Sequence, residues 1–255
     1  MSNVVLPAAS AASDSNEWQL RVDLAAAFRL ADEINWHEGV GNHFSLAVSA
    51  DGKRFLMNPR WRHFARIKAS DLLLLDADDA ETMRRPDPPD PSAWCIHGTM
   101  HSQLPQARCL LHLHPPNATA VSTLLDPEIK PIDQNTGRYY NRVAIDKSFG
   151  GIADDRAEGE RLVKVLGNKS RMMMGSHGVL VAANTVAEAF DDMYYLERAC
   201  QTLVLAYSTG LPLNVLASEI AERTAVGWLD YKDMAFSHFE ELKSLLDAKD
   251  PSYAH

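Results

Sequence analysis

Short apolar runs, bounded by glycine, proline or acidic residues, alternate along this chain with longer stretches of helical periodicity. Runs of the first kind predict β-strands, and the longer stretches predict helices. Because the two kinds interleave, we expect an α/β fold in which helices cover a central sheet. Several links between neighbouring runs are too short for the crossover that joins parallel strands. The sheet is therefore predicted to be mixed and mostly antiparallel.

The individual elements follow from these runs and from capping and breaking signals. Strands are expected at FSLAV, KRFLM, DLLLLD, ARCLLHLH and RVAI, and as a pair in RMMMGSHGVLVAAN that turns near residues 175–178. Helices are expected at residues 17–35, 93–104, 116–125, 154–166, 185–208, 213–225 and 231–247. Thr185 and Glu188 form a capping-box pattern. The four prolines of RRPDPPDPSAW forbid regular structure and predict a surface loop.

We expect one main domain with an addition at each end. Residues 1–15 are small and polar, and we expect them to be disordered. Residues 16–210 contain the interleaved elements and form the predicted domain. Residues 211–255 are predicted to form a C-terminal helical extension that packs on the same domain.

Charge and cysteine content argue against several classes of protein. The formal net charge is −9, from 25 basic and 34 acidic residues, so the chain lacks the basic surface of a nucleic-acid binder. The three cysteines show no CxxC spacing and are expected to be reduced thiols in a cytoplasmic protein. The first residues do not resemble a signal peptide, and no stretch reaches the roughly 18 apolar residues of a membrane span. Neither nucleic acid nor a membrane is expected as a partner.

Two histidines, His112 and His114, lie two positions apart in a predicted strand that Pro115 ends. Side chains at this spacing share one face of a strand, so both imidazoles can reach one metal ion. The pair alone is a weak signal, and two packed core histidines remain the alternative reading. His177, in a predicted turn beside Gly178, is the best candidate for a third ligand. Three histidines with an open fourth position are typical of catalytic zinc sites.

The segment WCIHGTMHSQLPQARCLLHLHPPNATAVS resembles the class II aldolase and adducin family, in which a helix precedes a strand ending in HxHxxxxTA and an HG pair follows in a distant hairpin. GVGNHFS is similar to the family's GNxS loop, and LERACQ is similar to its late helix. The resemblance covers roughly residues 20–208. It implies a three-layer α/β/α sandwich, a divalent ion held by His112, His114 and His177, and homotetramers with active sites at subunit contacts.

The chain departs from the family pattern where the aldolases carry catalytic and phosphate-binding groups. Ala93 stands at the position of their catalytic glutamate, and Pro91 stands at the first serine of the same motif. Trp61, in NPRW, occupies the position of a glycine in their phosphate-binding loop, where its side chain would block close approach of the backbone. The resemblance therefore does not extend to a standard phosphosugar aldolase.

Four residues are candidates for binding a substrate. Asn42 belongs to the GNxS-like loop, and Arg60 and Arg62 flank Trp61. A guanidinium group suits a carboxylate, and an indole ring stacks on a flat molecule, so a carboxylate-bearing substrate is predicted. The alternative is that both arginines are solvated loop charges or subunit contacts.

Three residues are candidates for proton transfer. His97 and His101 lie one helical turn apart on the helix that leads into the histidine-bearing strand, and imidazole titrates near neutrality. The alternative is a pair of packed helix histidines. Tyr140, which follows Tyr139 in a turn-like segment, is similar in place to a proton-donating tyrosine of the aldolases, and a structural role stays open for it.

Together these features favour a divalent-metal-dependent carbon–carbon lyase that acts on a small carboxylate-bearing carbonyl or hydroxy compound. One ion per subunit, with zinc preferred and manganese, cobalt or iron as alternatives, would act as a Lewis acid in retro-aldol cleavage or decarboxylation. The missing glutamate at position 93 favours decarboxylation, because that reaction needs no base to deprotonate a hydroxyl. Two alternatives remain: an adducin-like interaction module without catalysis, and a non-haem iron oxygenase, although iron more often uses two histidines and a carboxylate.

Overall fold

The computed structural model describes residues 9–148, 151 and 156–255. Within them, strands form at the places where the sequence predicts them. They are β1 His43–Ala47, β2 Arg54–Met57, β3 Leu73–Asp76, β4 Cys109–Leu113, β5 Val143–Asp146, β6 Arg171–Met174 and β7 Gly178–Ala183.

All of these strands join one sheet, in the order β3-β2-β1-β4-β7-β6-β5. Neighbouring strands are antiparallel except for β5 and β6, which are parallel. A parallel pair needs a crossover, and helix α5, Arg156–Leu166, lies between these two strands in the chain. The prediction of a mixed, mostly antiparallel sheet is confirmed.

The remaining α-helices of the described residues are α1 Ala9–Glu33, α2 Pro91–Gln103, α3 Pro116–Ser122, α4 Gln134–Gly137, α6 Val186–Ser208, α7 Ser218–Gly227 and α8 Lys232–Lys249. Two of them show their capping signals directly. Thr185 accepts a hydrogen bond from the backbone N–H of Glu188 at the start of α6. Asp90 caps α2 through the N–H groups of Ser92 and Ala93, with Pro91 in the first turn.

Helices cover both faces of the sheet and make the predicted three-layer sandwich. On one face, α2 and α5 pack against inward residues of β4, β6 and β7 in a core that includes Ile96, Leu162, Leu110, Met172 and Leu180. On the other face, α1, α3 and α6 pack against alternate residues of the same strands, in a larger core that includes Phe28, Val121, Phe190, Leu111 and Val179. The two-residue period of each strand thus divides its side chains between two cores.

Some predicted boundaries need correction. Helix α1 begins at Ala9, so residues 9–15, predicted to be disordered, are helical; their alanines favour continuation of the helix. The helix predicted at 213–225 begins only at Ser218, after a segment that contains Pro212. The short helix α4 was not predicted. Residues 154–155 of the helix predicted at 154–166, like residues 1–8 of the predicted disordered end, lie outside the described residues.

In the part of the chain that the structure describes, every helix is too short or too polar to cross a lipid bilayer.

Candidate metal centre

The strand register brings three histidines from distant parts of the chain to one end of the sheet. His112 is the fourth residue of β4, and His114 follows the strand on the same face. Antiparallel pairing places Leu113 opposite Val179, so the start of β7 lies beside the end of β4. His177, in the turn between β6 and β7, therefore lies next to the pair. The predicted convergence of these three residues is what the structure shows.

The three imidazole rings face one another at ligand distances. Their centroids lie 4.9 Å apart for His112 and His114, 4.8 Å for His112 and His177, and 4.7 Å for His114 and His177. One ligand atom from each ring lies within 4.8 Å of those from the other two. The Nε2 atoms of His112 and His114 are 3.2 Å apart. Two nitrogens of a tetrahedral zinc site, each about 2.05 Å from the ion, would be roughly 3.3 Å apart, so the spacing fits.

The second nitrogen of each strand histidine is held by an acceptor. His112 donates its Nδ1 hydrogen to the carbonyl oxygen of Val179 at 3.0 Å. His114 donates its Nδ1 hydrogen to the Glu38 carboxylate at 2.7 Å. These bonds place the proton on Nδ1 and leave the Nε2 lone pair free for a metal ion, as in known metal sites. The arrangement of these residues fits one divalent ion with an open side.

Burial keeps the rings of His112 and His177 uncharged. It lowers the pKa of His112 well below the ordinary histidine value, and the neighbouring imidazoles lower it further. Burial, with a smaller contribution from His114, lowers the pKa of His177 to about 4. Neutral imidazole is the form that binds a metal ion, so no proton has to be displaced from His112 or His177 at neutral pH.

A cavity of about 420 Å³ opens on the histidine cluster. Besides the three histidines, its described lining includes Glu38, Asn42, His43, Asp90, Ser92 and Ser176. No lysine or arginine occurs among these described lining residues. Asn42, a predicted substrate-binding residue, has a left-handed backbone with φ of 70° and accepts a hydrogen bond from the N–H of Glu38. It therefore shapes the loop that carries the carboxylate partner of His114.

His97 and His101, the predicted acid–base histidines, lie away from this cavity. Both rings are buried between α2 and the β1 strand, with exposed fractions of 0% and 4%. Burial lowers the pKa of His97 well below its ordinary value and that of His101 to about 4. This placement corrects the predicted role, because a ring that does not line the cavity cannot pass a proton directly to a molecule bound there.

The predicted anion-binding loop also lies away from the cavity of its own chain. Trp61 is 68% exposed, and the guanidinium of Arg60 stands 6.0 Å from its ring. Arg62 is directed toward Asp71, with 3.4 Å between Nη2 and Oδ1. Tyr140 lies in the turn after α4, where its carbonyl accepts a hydrogen bond from Arg142. Within one chain these four residues do not reach the candidate metal centre, because the loops that carry them lie outside its lining.

The cavity wall also contains residues outside the predicted metal, substrate-binding and proton-transfer sets, among them His43, which the sequence places beside the GVGN loop. Glu38, Asp90 and Ser92 line the cavity, and His43 forms the wall next to His112, with ring centroids 4.9 Å apart. The two-residue period of a strand could have indicated His43, because it places His43 and Ser45 on the same face of β1, toward α2. His37, which the sequence also places beside this loop, pairs instead with Asp32 at 2.8 Å.

Comparison with known proteins gives the following relationships. The sequence profile of the Class II Aldolase and Adducin N-terminal domain matches residues 22–204. A Caulobacter vibrioides protein with a provisional class 2 aldolase name is 34% identical over 206 residues, which cover 81% of this chain and 79% of that protein. An aldolase II superfamily protein from Pseudomonas syringae superposes with a TM-score of 0.85 at 31% identity, over 94% of this chain and 96% of that one. The L-fuculose 1-phosphate aldolase of Glaciozyma antarctica PI12 superposes with a TM-score of 0.79 over 99% of this chain and 96% of that one; at 19% identity this likeness concerns the fold alone.

Proposed function

The chain belongs to the class II aldolase and adducin family, and from this premise we propose that it is a divalent-metal-dependent carbon–carbon lyase. The observation that carries the proposal is the convergence of His112, His114 and His177, with two of the rings oriented by acceptors behind them. These three residues would hold the ion, and a bound ion supplies Lewis-acid polarisation of a substrate oxygen. Zinc is the metal we propose, because three neutral imidazoles with an open position match its catalytic sites.

We propose a small, carboxylate-bearing carbonyl or hydroxy compound as the substrate. The described cavity lining carries the carboxylates of Glu38 and Asp90 and no lysine or arginine, so apart from the bound ion a doubly charged phosphate would meet no positively charged side chain there. A single carboxylate is easier to accommodate, and the hydroxyl of Ser92 and the amide of Asn42 offer neutral hydrogen-bonding groups. Arg60, Trp61 and Arg62 would bind substrate only if assembly brings them to the cavity of another subunit.

The reaction type within the lyase class depends on which group handles the substrate proton. Ala93 is fully buried and carries no base, which favours decarboxylation over cleavage that begins with loss of a hydroxyl proton. His43 lines the cavity and offers a neutral imidazole, which favours retro-aldol cleavage. Both reactions belong to the proposal, and their products distinguish them: decarboxylation releases carbon dioxide and retro-aldol cleavage releases an aldehyde.

Two alternatives from other classes are less well supported. An adducin-like module without catalysis has no need of three converging imidazoles, two of which already have their outer nitrogens oriented by acceptors. An iron oxygenase more often uses two histidines and a carboxylate, whereas the carboxylate of Glu38 is hydrogen-bonded to Nδ1 of His114 and lies behind that ring. Metal analysis and oxygen uptake would separate these classes from a lyase.

We also propose that the chain assembles as a cytoplasmic homotetramer, as the family resemblance implies. Large apolar side chains are exposed along the C-terminal part of the chain, including Leu205, Leu211, Leu229, Tyr231 and Phe236. Exposed apolar groups at this density are typical of subunit interfaces. Light scattering on the purified protein would measure the mass of the assembly.

The function is tested by incubating the zinc-loaded protein with a panel of short 3-oxo acids and 4-hydroxy-2-oxo acids, in which a carbonyl next to the carbanion accepts the electron pair of the broken bond, and measuring carbon dioxide and aldehyde release. We expect turnover that EDTA abolishes and zinc restores, and that His177→Ala lowers by at least about 100-fold. His63→Ala removes a half-exposed imidazole outside the cavity and should retain full activity. A folded, zinc-loaded protein that releases neither product from any of these acids would contradict the proposal.

A further inference from the structure

Four polar side chains run in single file from the cavity into the core between β1 and α2. His43 Nδ1 lies 2.7 Å from His97 Nε2, and His97 Nδ1 lies 2.5 Å from the hydroxyl of Ser45. The same hydroxyl lies 2.6 Å from His101 Nε2, and His101 Nδ1 lies 2.5 Å from the carbonyl oxygen of Ala107. All four side chains are buried, and we call this set the histidine–serine chain.

The inner end of the histidine–serine chain fixes the direction of every bond in it. A carbonyl oxygen can only accept, so His101 must donate its Nδ1 hydrogen to Ala107. A neutral His101 then has a lone pair on Nε2, which accepts the single hydrogen of the Ser45 hydroxyl. That hydroxyl has no second hydrogen, so it must accept from His97 Nδ1. His97 Nε2 is then an acceptor, and His43 donates to it from Nδ1.

The direction holds as long as the inner rings are neutral, and their surroundings keep them so. Among the described residues, His97 and His101 make no hydrogen bond to a carboxylate, and both rings are buried. A buried imidazolium without a counter-charge is costly, which is why burial lowers the pKa of both rings. A single arrangement of hydrogens then satisfies all the polar atoms that meet in the interior of the histidine–serine chain.

The outer end of the histidine–serine chain is the free nitrogen of His43. Its Nε2 has no hydrogen-bond partner among the described residues, and His43 lines the cavity beside His112. With the proton held on Nδ1, this nitrogen presents a lone pair to whatever occupies the cavity. It can accept a hydrogen bond from a hydroxyl, but it cannot donate one to a carbonyl or a carboxylate.

We propose that the histidine–serine chain fixes His43 as a hydrogen-bond acceptor, and that His43 Nε2 selects ligands carrying a hydroxyl group. Ser45, His97 and His101 are positioning residues that act through His43. The inference rests on the proposed function only in taking this cavity as the ligand site. It narrows the proposed substrate to compounds that carry a hydroxyl group, which retro-aldol cleavage requires together with a carbonyl group.

The hydrogen arrangement is tested directly by neutron diffraction from deuterium-exchanged crystals of the wild-type protein. We expect deuterium on Nδ1 of His43, His97 and His101, and the Ser45 deuterium directed toward His101. Deuterium on Nε2 of His43, or a Ser45 deuterium directed toward His97, would overturn the inference. This measurement needs neither turnover nor an identified substrate, so it can succeed even where the proposed function fails.

The selection of hydroxyl groups is tested with two small probes on the zinc-loaded protein. Glycolate and methoxyacetate both offer a carboxylate and a second oxygen to the site, but only glycolate can donate a hydrogen bond. In Ser45→Ala, His97 loses its acceptor, so its proton moves to Nε2 and the proton of His43 moves to the cavity side. We expect the wild-type preference for glycolate, measured by calorimetry, to fall about 3- to 10-fold, the worth of one hydrogen bond.

Two variants serve as controls for this substitution. Ser45→Thr keeps the hydroxyl group and should therefore keep the wild-type preference for glycolate. Ser102→Ala removes a hydroxyl one residue beyond His101 that donates its hydrogen bond to the carbonyl of Gly98, outside the histidine–serine chain. This variant should keep the wild-type preference for glycolate. A Ser45→Ala protein with normal zinc content and an unchanged preference would overturn the selection role. If that variant does not fold, the neutron result still decides the direction of the bonds.

Discussion

The carboxylate of Glu38 determines which nitrogen of His114 is available to a metal ion. It accepts the Nδ1 hydrogen of His114 at 2.7 Å, although its side chain is 60% exposed to solvent. The bond orients the ring and makes Nε2 a stronger metal ligand, as outer partners of metal-bound histidines generally do. The loop around Asn42 holds Glu38 in place through its backbone N–H.

Replacing Glu38 by glutamine tests this control at a single residue. The charge that supports His114 is lost while the size of the side chain is kept, so we expect zinc affinity to fall about 10-fold. Competition with a chromophoric chelator would measure the change. Glu33→Gln removes a similar exposed carboxylate that pairs with Lys249, and it should have no effect on zinc. Equal affinities for Glu38→Gln and wild type would contradict the account.

At the residue scale, the sequence predicts only those site residues whose relation is local. His112 and His114 could be paired because a strand repeats every two residues, and His177 because of its turn and the family motif. Among His43, Ser45, His97 and His101, hydrogen-bonded partners lie up to 56 residues apart in the chain, and their contacts depend on how α2 packs on β1. The same packing buries His97 and His101 behind the cavity wall. Their spacing on one face of a helix predicts proximity to the site but does not show that burial.

At the scale of elements, the turn between β6 and β7 positions His177 and supports His114. Gly178, the first residue of β7, packs directly on the His114 ring. A Cβ atom at Gly178 would lie 2.5 Å from Cδ2 of His114 and 2.6 Å from the carbonyl oxygen of Leu113. Only a residue without a side chain allows β4 and β7 to come together at the metal-binding end of the sheet.

The Gly178→Ala substitution tests this close approach. Overpacking costs about 1–3 kcal/mol, and the displaced His114 ring would leave the ligand geometry. We expect both a lower free energy of unfolding in urea and weaker zinc binding. Gly227→Ala is the matched control, because a Cβ there would meet no atom within 4 Å. Wild-type zinc affinity and stability in Gly178→Ala would show that the strands have room to spare.

The elements themselves were largely predictable, because strand and helix periodicities are local properties of the sequence. All seven strands of the described sheet fall where apolar runs predict them. The errors lie at boundaries, such as Ala9 and Ser218, where the local signals compete. Helix α4 spans only Gln134–Gly137 and is capped by Asp133, a pattern too short to stand out from a turn.

At the scale of the whole molecule, the layered fold brings the site together from three separate regions. The loop after α1 supplies Glu38, β4 supplies His112 and His114, and the β6–β7 turn supplies His177. Interleaved periodicities predict α/β layering, but they do not give the strand order. The neighbours β1, β4 and β7 are separated in the chain by other elements, so local patterns do not show that they lie side by side. The family resemblance implied that His112, His114 and His177 come together, although it was not used to predict the strand order.

The most direct test of the central claim is calorimetric titration of zinc into the metal-free protein. The account predicts one tight site per chain in the wild type, and a loss of affinity of at least about 100-fold in His177→Ala, since one of three protein ligands is removed. His63→Ala should bind zinc at this site as tightly as the wild type. Tight zinc binding that survives in His177→Ala would contradict the claim that these three distant histidines hold one ion.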